Sequence, residues 1–365
     1  MPAAESAYDV RPLNGGKPLI TRAHFEALGV GEEGSNINGA SILRLPEWLP
    51  NEKRADPSAK YYLYFSHHRG RYIRLAWAAS LEGPWTLYGS GKDIAVGERG
   101  VLDMGADRKI RLSKELQILD HIASPDVHVD EEKKLFRMYV HGVGNLKTPE
   151  PLPDWVKNTG LKQRNYVAES ADGLDFNDGL LPVCLGHFYF KVFEAHGRKH
   201  AFTNRAVMHR APEGQDPLLP PEGTDLLQDY WAWEPGYSER LYNWLRASTG
   251  VEEPRHVGIQ QREDGLRVFL TQVYGEPERI LAVDLDFNGS SDWKKWSLRQ
   301  QHPIEVYRPS QKWEGIEVPV TPSRNGPAKQ LEHALRDPDV LEDEGRLYLF
   351  YSGGGEAAIG AIELR

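Results

Sequence analysis

A single phrase that recurs along this 365-residue chain constrains its fold more than any bulk property. Ser124-Pro125-Asp126-Val127 leads into Leu135-Phe136-Arg137-Met138-Tyr139, and Asp337-Pro338-Asp339-Val340 leads into Leu347-Tyr348-Leu349-Phe350-Tyr351. Each copy reads as a strand with an acidic entrance, a polar turn and an aromatic-rich strand. Internal self-similarity signals a repeat architecture, and three weaker copies complete it. They are Gly39 to Leu43 with Tyr61 to Ser66, Tyr189 to Phe193 with Lys199 to Phe202, and His256 to Ile259 with Leu266 to Leu270. A Pro- and charge-rich insertion, Pro46 to Lys60, separates the two strands of the first. Turns such as Ala195-His196-Gly197 and Glu263-Asp264-Gly265 carry the residues that tight hairpins require.

A further strand follows in four of the five units, aligned on Ala76, Ala168, Ala282 and Ala361. A small residue at one register position suits close packing of sheet on sheet. Ser80 to Trp85, Ser170 to Phe176 and Asp284 to Trp296 then read as turns leading to an outer strand. The expected fold is all-β: a five-bladed β-propeller with four-stranded antiparallel blades, because radial repetition leaves only short sheet edges. A β-sandwich is the competing architecture, but sandwiches rarely repeat one strand-turn-strand phrase five times. Residues 1–35 read as an N-terminal extension packed on the outside, and residues 36–365 as the propeller. Residues 210–254 break the rhythm as a long insertion between blades three and four. They hold Pro217-Leu218-Leu219-Pro220-Pro221, then Trp231-Ala232-Trp233-Glu234, then a short helix from Ser238 to Ala247. Such insertions often form lids or binding loops.

Charge and cysteine usage narrow the function classes. With 44 basic against 53 acidic side chains the formal net charge is −9, which disfavours binding a phosphate backbone. Cys184 is the only cysteine, so no intrachain disulfide can form, and its place between Val183 and Leu185 suits packing. The first residues show neither a basic n-region nor an apolar h-region. No apolar run approaches the roughly 18 residues of a membrane span. The expectation is a cytoplasmic protein without membrane or nucleic-acid partners.

The Asp337-Pro338-Asp339-Val340 and Ser124-Pro125-Asp126-Val127 phrases, with Ser80-Leu81-Glu82-Gly83-Pro84-Trp85, resemble those of the five-bladed β-propeller glycoside hydrolases, in particular families 43, 32, 68, 117 and 130. The resemblance covers residues 36–365. It implies a central funnel lined by the first strand of each blade, with acidic residues from different blades converging on one sugar ring. It also implies departures. Family 43 enzymes carry a general-base aspartate on the first blade, where this chain has Asn36-Ile37-Asn38-Gly39-Ala40-Ser41. They carry an acid-tuning aspartate on the third blade, where this chain has Tyr189-Phe190-Lys191-Val192-Phe193. That catalytic set therefore does not transfer. In family 117 a histidine has been assigned the acid role.

Glycoside hydrolysis usually needs two carboxyl groups across the bond, one protonated and one not. Asp126 and Asp337 are the leading candidates, because blades two and five both flank blade one. Asp339 shares a strand face with Asp337 by alternation. For each, the alternative is a structural aspartate that caps a turn or pairs with an arginine. His67 and His141 stand at matching ends of second strands and are candidate acids or bases near neutral pH. His68, His128 and His256, with His121, extend the group as candidate binders of sugar hydroxyls, and sheet-end hydrogen bonding is the alternative for any one of them. Arg74 and Arg336 are candidate clamps for an acidic group, and Asn38 for a sugar hydroxyl. Trp231, Trp233 and Trp313, in long loops, are stacking candidates, whereas Trp77 and Trp85 read as blade packing. No tight metal-ligand spacing appears, so no cofactor is expected, and a divalent metal ion held by imidazole and carboxylate is the alternative. Gly353-Gly354-Gly355 is no phosphate loop, and Asn288-Gly289-Ser290 reads as a turn.

The chain thus reads as a glycosidase-like hydrolase of carbohydrate metabolism acting on a small oligosaccharide or glycoside by general acid–base catalysis. A histidine-dependent propeller lyase, a phosphorylase and a non-catalytic carbohydrate-binding propeller are the alternatives. Asp126 and Asp337 in one pocket about 6.5–9.5 Å apart would favour inverting hydrolysis. A pocket lined only by histidine and arginine would favour the lyase or the binder.

Overall fold

The computed structural model describes residues 8–365 apart from 90–99, 115, 145–162, 204–206, 214–231, 237–252 and 301. Five antiparallel sheets of four or five strands follow one another along the chain. Blade one pairs Asn38–Arg44, Tyr61–Ser66, Tyr72–Ala78 and Thr86–Leu87, with Leu102–Asp103 also on its third strand. Blade two holds Gln117–Asp130, Leu135–Gly144 and Gln163–Ser170, with Lys109–Arg111 beside the start of its first strand. Blade three holds Lys191–Ala195, Arg198–Phe202, Met208–Arg210 and Glu234–Gly236. Blade four runs Glu253–Gln261, Gly265–Val273 and Ile280–Asp286, followed by Ser297–Leu298 and Ile304–Tyr307. Blade five runs Leu335–Asp343, Arg346–Gly353 and Ala358–Leu364. The fold is the five-bladed β-propeller.

The N-terminal segment is part of the ring. Val10–Pro12 and Ile20–Thr21 both pair with Ala358–Leu364, so the start of the chain adds the outer edge of blade five. Arg11 fastens that edge, with Nε 2.7 Å from Glu363 and Nη1 2.7 Å from Glu82. Closing a ring with strands from both ends of the chain removes an open edge that would otherwise pair with other molecules.

The core is divided, and the division follows from period-2 alternation. In blade one Tyr62 and Tyr64 face blade two, while Leu63 and Phe65 face blade five. Five apolar clusters result, one at each blade interface. Each fully buried large side chain contributes about 1.5–3 kcal/mol. One middle-strand position is aromatic in every blade and faces the following blade: Tyr64, Tyr139, Phe202, Phe269 and Phe350.

The third-strand alanines are all buried but do not share one register. Ala282 and Ala361 pair with the aromatic position, at Phe269 and Phe350. Ala76 and Ala168 pair one residue along, at Leu63 and Met138. The small residue therefore serves opposite faces in the two sets, which corrects the common alignment read from the sequence. Blade three also has a third strand, Met208–Arg210, that the repeat pattern did not reveal. The Ser238 to Ala247 helix and Trp231 lie outside the described residues.

Candidate active site

The recurring phrase is the signature of a bulge. In four blades two residues of the first strand stand against a single residue of the second: Gly39-Ala40, Ser124-Pro125, Arg255-His256 and Asp337-Pro338. A bulge leaves its extra residue outside the ladder, so proline, which has no N–H to donate, fits there. It also bends the strand and turns a side chain toward the axis. Gly39, Ser124, Tyr189 and Asp337 all adopt positive φ, at 66°, 48°, 62° and 53°. For bulky non-glycine residues this is a costly conformation, retained where surrounding structure enforces it. These residues, with His256 from blade four, line one cavity together with Pro125, Lys191, Arg255 and Pro338.

One layer deeper lie Ser41, Asp126, Lys191, Gly258 and Asp339. First strands are sheet edges, and side chains of this layer cap the edge N–H groups of the next blade. Asp339 Oδ2 accepts from Ile42 N at 2.8 Å, Ser41 Oγ from Val127 N at 2.9 Å, and Asp126 Oδ2 from Val192 N at 2.8 Å. In blade four a side chain has no room, since a Cβ on Gly258 would meet Pro338 O at 2.8 Å.

Asp337 lies in the cavity wall. Its Oδ2 accepts from Gly39 N at 3.2 Å and is 3.4 Å from Ser352 Oγ, while Oδ1 lies against His256 Nδ1. The His256 ring centroid is 4.1 Å from Tyr189, and Tyr189 is 4.4 Å from His141. His121 stands 5.5 Å from His141. Asp337, His256 and Tyr189 of this run line the cavity, and His141 and His121 are buried behind Tyr189. Asp126 does not line the cavity. It is held below by Lys191 Nζ at 3.2 Å and by His128 Nε2 at 2.8 Å. Burial alone would raise the Asp126 carboxyl, but the Lys191 ammonium and His128 outweigh it and hold it well below the usual range. Asp339 moves the other way, raised by burial despite Lys191.

A buried ladder of charges supports the mouth. Arg255 bonds Glu278 at 2.7 and 3.2 Å. Arg336 then bonds Glu278 at 3.2 Å, Glu356 at 3.0 Å and Glu332 at 2.5 Å. Glu356 continues to Asn36 and to His68 Nδ1 at 3.7 Å. Burial would raise the Glu356 carboxyl, but His68 and Arg336 hold it well below the usual range.

The remaining sequence candidates sit as follows. Arg336 is wholly engaged by this ladder. Arg74 donates to Asn36 O at 2.8 Å and to Glu33 O, with its guanidinium 4.7 Å from the Phe25 centroid, so it anchors the N-terminal segment. Asn38 Oδ1 accepts from Ser66 Oγ at 2.8 Å. His67 turns to His68 O and to Ser35. Trp233 is fully buried between Tyr139 and Phe190, and Trp313 stacks on Tyr351 and donates to Gly16 O at 2.9 Å. Both are packing residues, which corrects their reading as stacking platforms. Cys184 is buried, and burial pushes its thiol up to about 12. Among the described residues no group of three or more His, Cys, Asp or Glu side chains can hold a metal ion, and no helix is long and apolar enough to cross a membrane.

Sequence reasoning missed Lys191, Tyr189, Arg255, Glu278 and Glu356. The first two were within reach, because Tyr189-Phe190-Lys191 occupies the slots of Ser124-Pro125-Asp126 in the phrase. The other three meet only through the ring.

The buried imidazoles give the protein a pH dependence. Burial lowers His141, His256 and His209 well below their ordinary value, and lowers His187 to about 3. The folded state keeps these rings neutral, whereas the unfolded chain binds their protons below about pH 6.5. Stability is therefore full above that pH and lost below it, by about 1.4 kcal/mol per pH unit for each ring until its folded value is reached. Thermal unfolding between pH 7.5 and 4.5 is expected to show a midpoint falling steeply below about 6.5. A flat profile would contradict neutral burial.

No protein-family profile matches the chain. An uncharacterised protein of Acanthamoeba polyphaga mimivirus is 29% identical over 334 residues, covering 90% of this chain and 83% of that protein. A thermostable family-43 glycoside hydrolase superposes with a TM-score of 0.50 at 12% identity, covering 90% of this chain and 88% of the other. A family-43 β-xylosidase/α-arabinofuranosidase from a compost microbial metagenome, solved with xylotriose, gives a TM-score of 0.48 at 12% identity over 96% and 92%. The chain shares the five-bladed propeller fold of family-43 glycoside hydrolases.

Proposed function

We propose that this protein is a glycosidase-like hydrolase that processes a small oligosaccharide or glycoside in the central funnel. The observation that carries the reading is Asp337, a carboxylate at a positive-φ bulge in the cavity wall, with His256 against it. In this reading Asp337 takes a proton from the attacking water, and His256 orients the carboxylate. Water adds at the anomeric carbon, the glycosidic C–O bond breaks, and the leaving oxygen takes a proton from the Tyr189 phenol. Burial raises the Tyr189 phenol, so it keeps its proton across the neutral range. Reducing-end release from a panel of aryl glycosides and plant, algal and bacterial oligosaccharides tests this. Release of a sugar supports the reading, and silence across the panel counts against it.

A second reading has its own observation. Asp337 is the single carboxylate among the residues lining the cavity, beside Tyr189, His256, Arg255 and Lys191. A phenol, an imidazole and a guanidinium suit β-elimination on a uronide, in which a base removes a carbon-bound proton and an acid protonates the leaving oxygen. An unsaturated product would favour it.

A further inference from the structure

The side chain that reaches the cavity from below is Lys191. Its ammonium has three N–H donors. One points to Asp339 Oδ1 at 2.8 Å and one to Asp126 Oδ1 at 3.2 Å. Lys191 is also among the residues that line the cavity, and two of its three donors are taken by these carboxylates. Neither carboxylate can swing away, because Asp126 is fixed by Val192 N and Asp339 by Ile42 N. The lysine is thereby held between blades two and five while its own strand belongs to blade three.

We propose that Lys191 forms the floor of the substrate site, donating its remaining N–H to a hydroxyl of a neutral sugar, and that its two flanking carboxylates select such a sugar over a uronic acid. The proposal rests on the carbohydrate reading above and sharpens it to a substrate class. A hydrogen bond from a charged donor is about twice as strong as a neutral one, so one fixed ammonium distinguishes a hydroxyl from a bare ring position. The positive charge is already met by two carboxylates within 3.2 Å. A third carboxylate would enter against like charge in a partly dry site, whereas a hydroxyl brings none. Burial would lower the Lys191 ammonium, but Asp339 and Asp126 reverse that and keep it charged. The floor is therefore a permanent donor that does not titrate near neutrality.

Calorimetric binding of xylotriose, arabinohexaose, galactotriose and trigalacturonic acid tests the proposal. The protein is examined unaltered and as the double variant Lys191→Met with Asp339→Asn, which removes one charge of each sign. Thermal unfolding first establishes that the variant is folded. The expected result is that a neutral member binds, that galactotriose outcompetes trigalacturonic acid at least tenfold, and that the double variant loses at least tenfold in affinity for the neutral sugar. Equal binding by the folded variant, tighter binding of the uronide, or no binding of any sugar overturns it. Should the variant fail to fold, the neutral-to-uronide ratio of the unaltered protein decides alone. Binding without turnover would sink the hydrolase reading and leave the Lys191 floor standing.

Discussion

Asp337→Asn is expected to lower kcat on whichever glycoside the protein cleaves by about 10³-fold, the scale on which a positioned acid or base contributes. The substitution keeps an oxygen to accept from Gly39 N and a group of the same size beside His256. What it removes is the capacity to take a proton from water. KM is expected to change little, because the loss falls on the transition state, and the variant is expected to melt within a few degrees of the wild type. Steady-state kinetics with a thermal scan on the same preparation separates the two effects. Turnover reduced by less than tenfold would move the base to another residue. A variant that unfolds would make Asp337 a structural cap of blade one.

The largest effect on stability is expected from Arg336→Met. Arg336 is fully buried and touches Glu278, Glu332 and Glu356, so its loss strands three carboxylates that its fork now serves. Removing one partner of a buried ion pair typically costs about 3–5 kcal/mol. Urea unfolding is expected to show a midpoint lowered by more than any surface charge substitution produces. Arg336→Lys is expected to recover only part of the loss, since an ammonium cannot reproduce the guanidinium fork. A change below about 1 kcal/mol, the range of exposed pairs, would mean that water enters the ladder and screens it.

The fold was legible because propeller blades repeat chemistry that a reader can align. Ser124-Pro125 and Asp337-Pro338 mark bulges, and the aromatic second strands mark blade interfaces. Asp337 was legible for the same reason, being the acidic residue in a bulge slot. The phrase could not say which aspartates face the cavity. Asp126 and Asp339 share a layer under the bulges, where they cap neighbouring strands and hold Lys191, whereas Asp337 belongs with Ser124 and Tyr189 above. Two residues of separation exchange the wall of a site for its foundation. The ladder from Arg255 through Glu278 and Arg336 to Glu356 spans more than a hundred residues and joins only when the ring closes, so no local pattern announces it. The alanine alignment misled for a local reason: one residue of register moves a side chain to the other face of its sheet.

The most direct test of the account weighs the products of turnover. A hydrolase splits one glycosidic bond with one water, so the masses of the two products together exceed that of the substrate by one water. Mass spectrometry of a completed reaction, with Asp337→Asn in parallel, is expected to give that sum for the wild type and unreacted sugar for the variant. Products whose masses add to the substrate alone, one of them unsaturated, would replace hydrolysis with elimination and contradict the role given to Asp337.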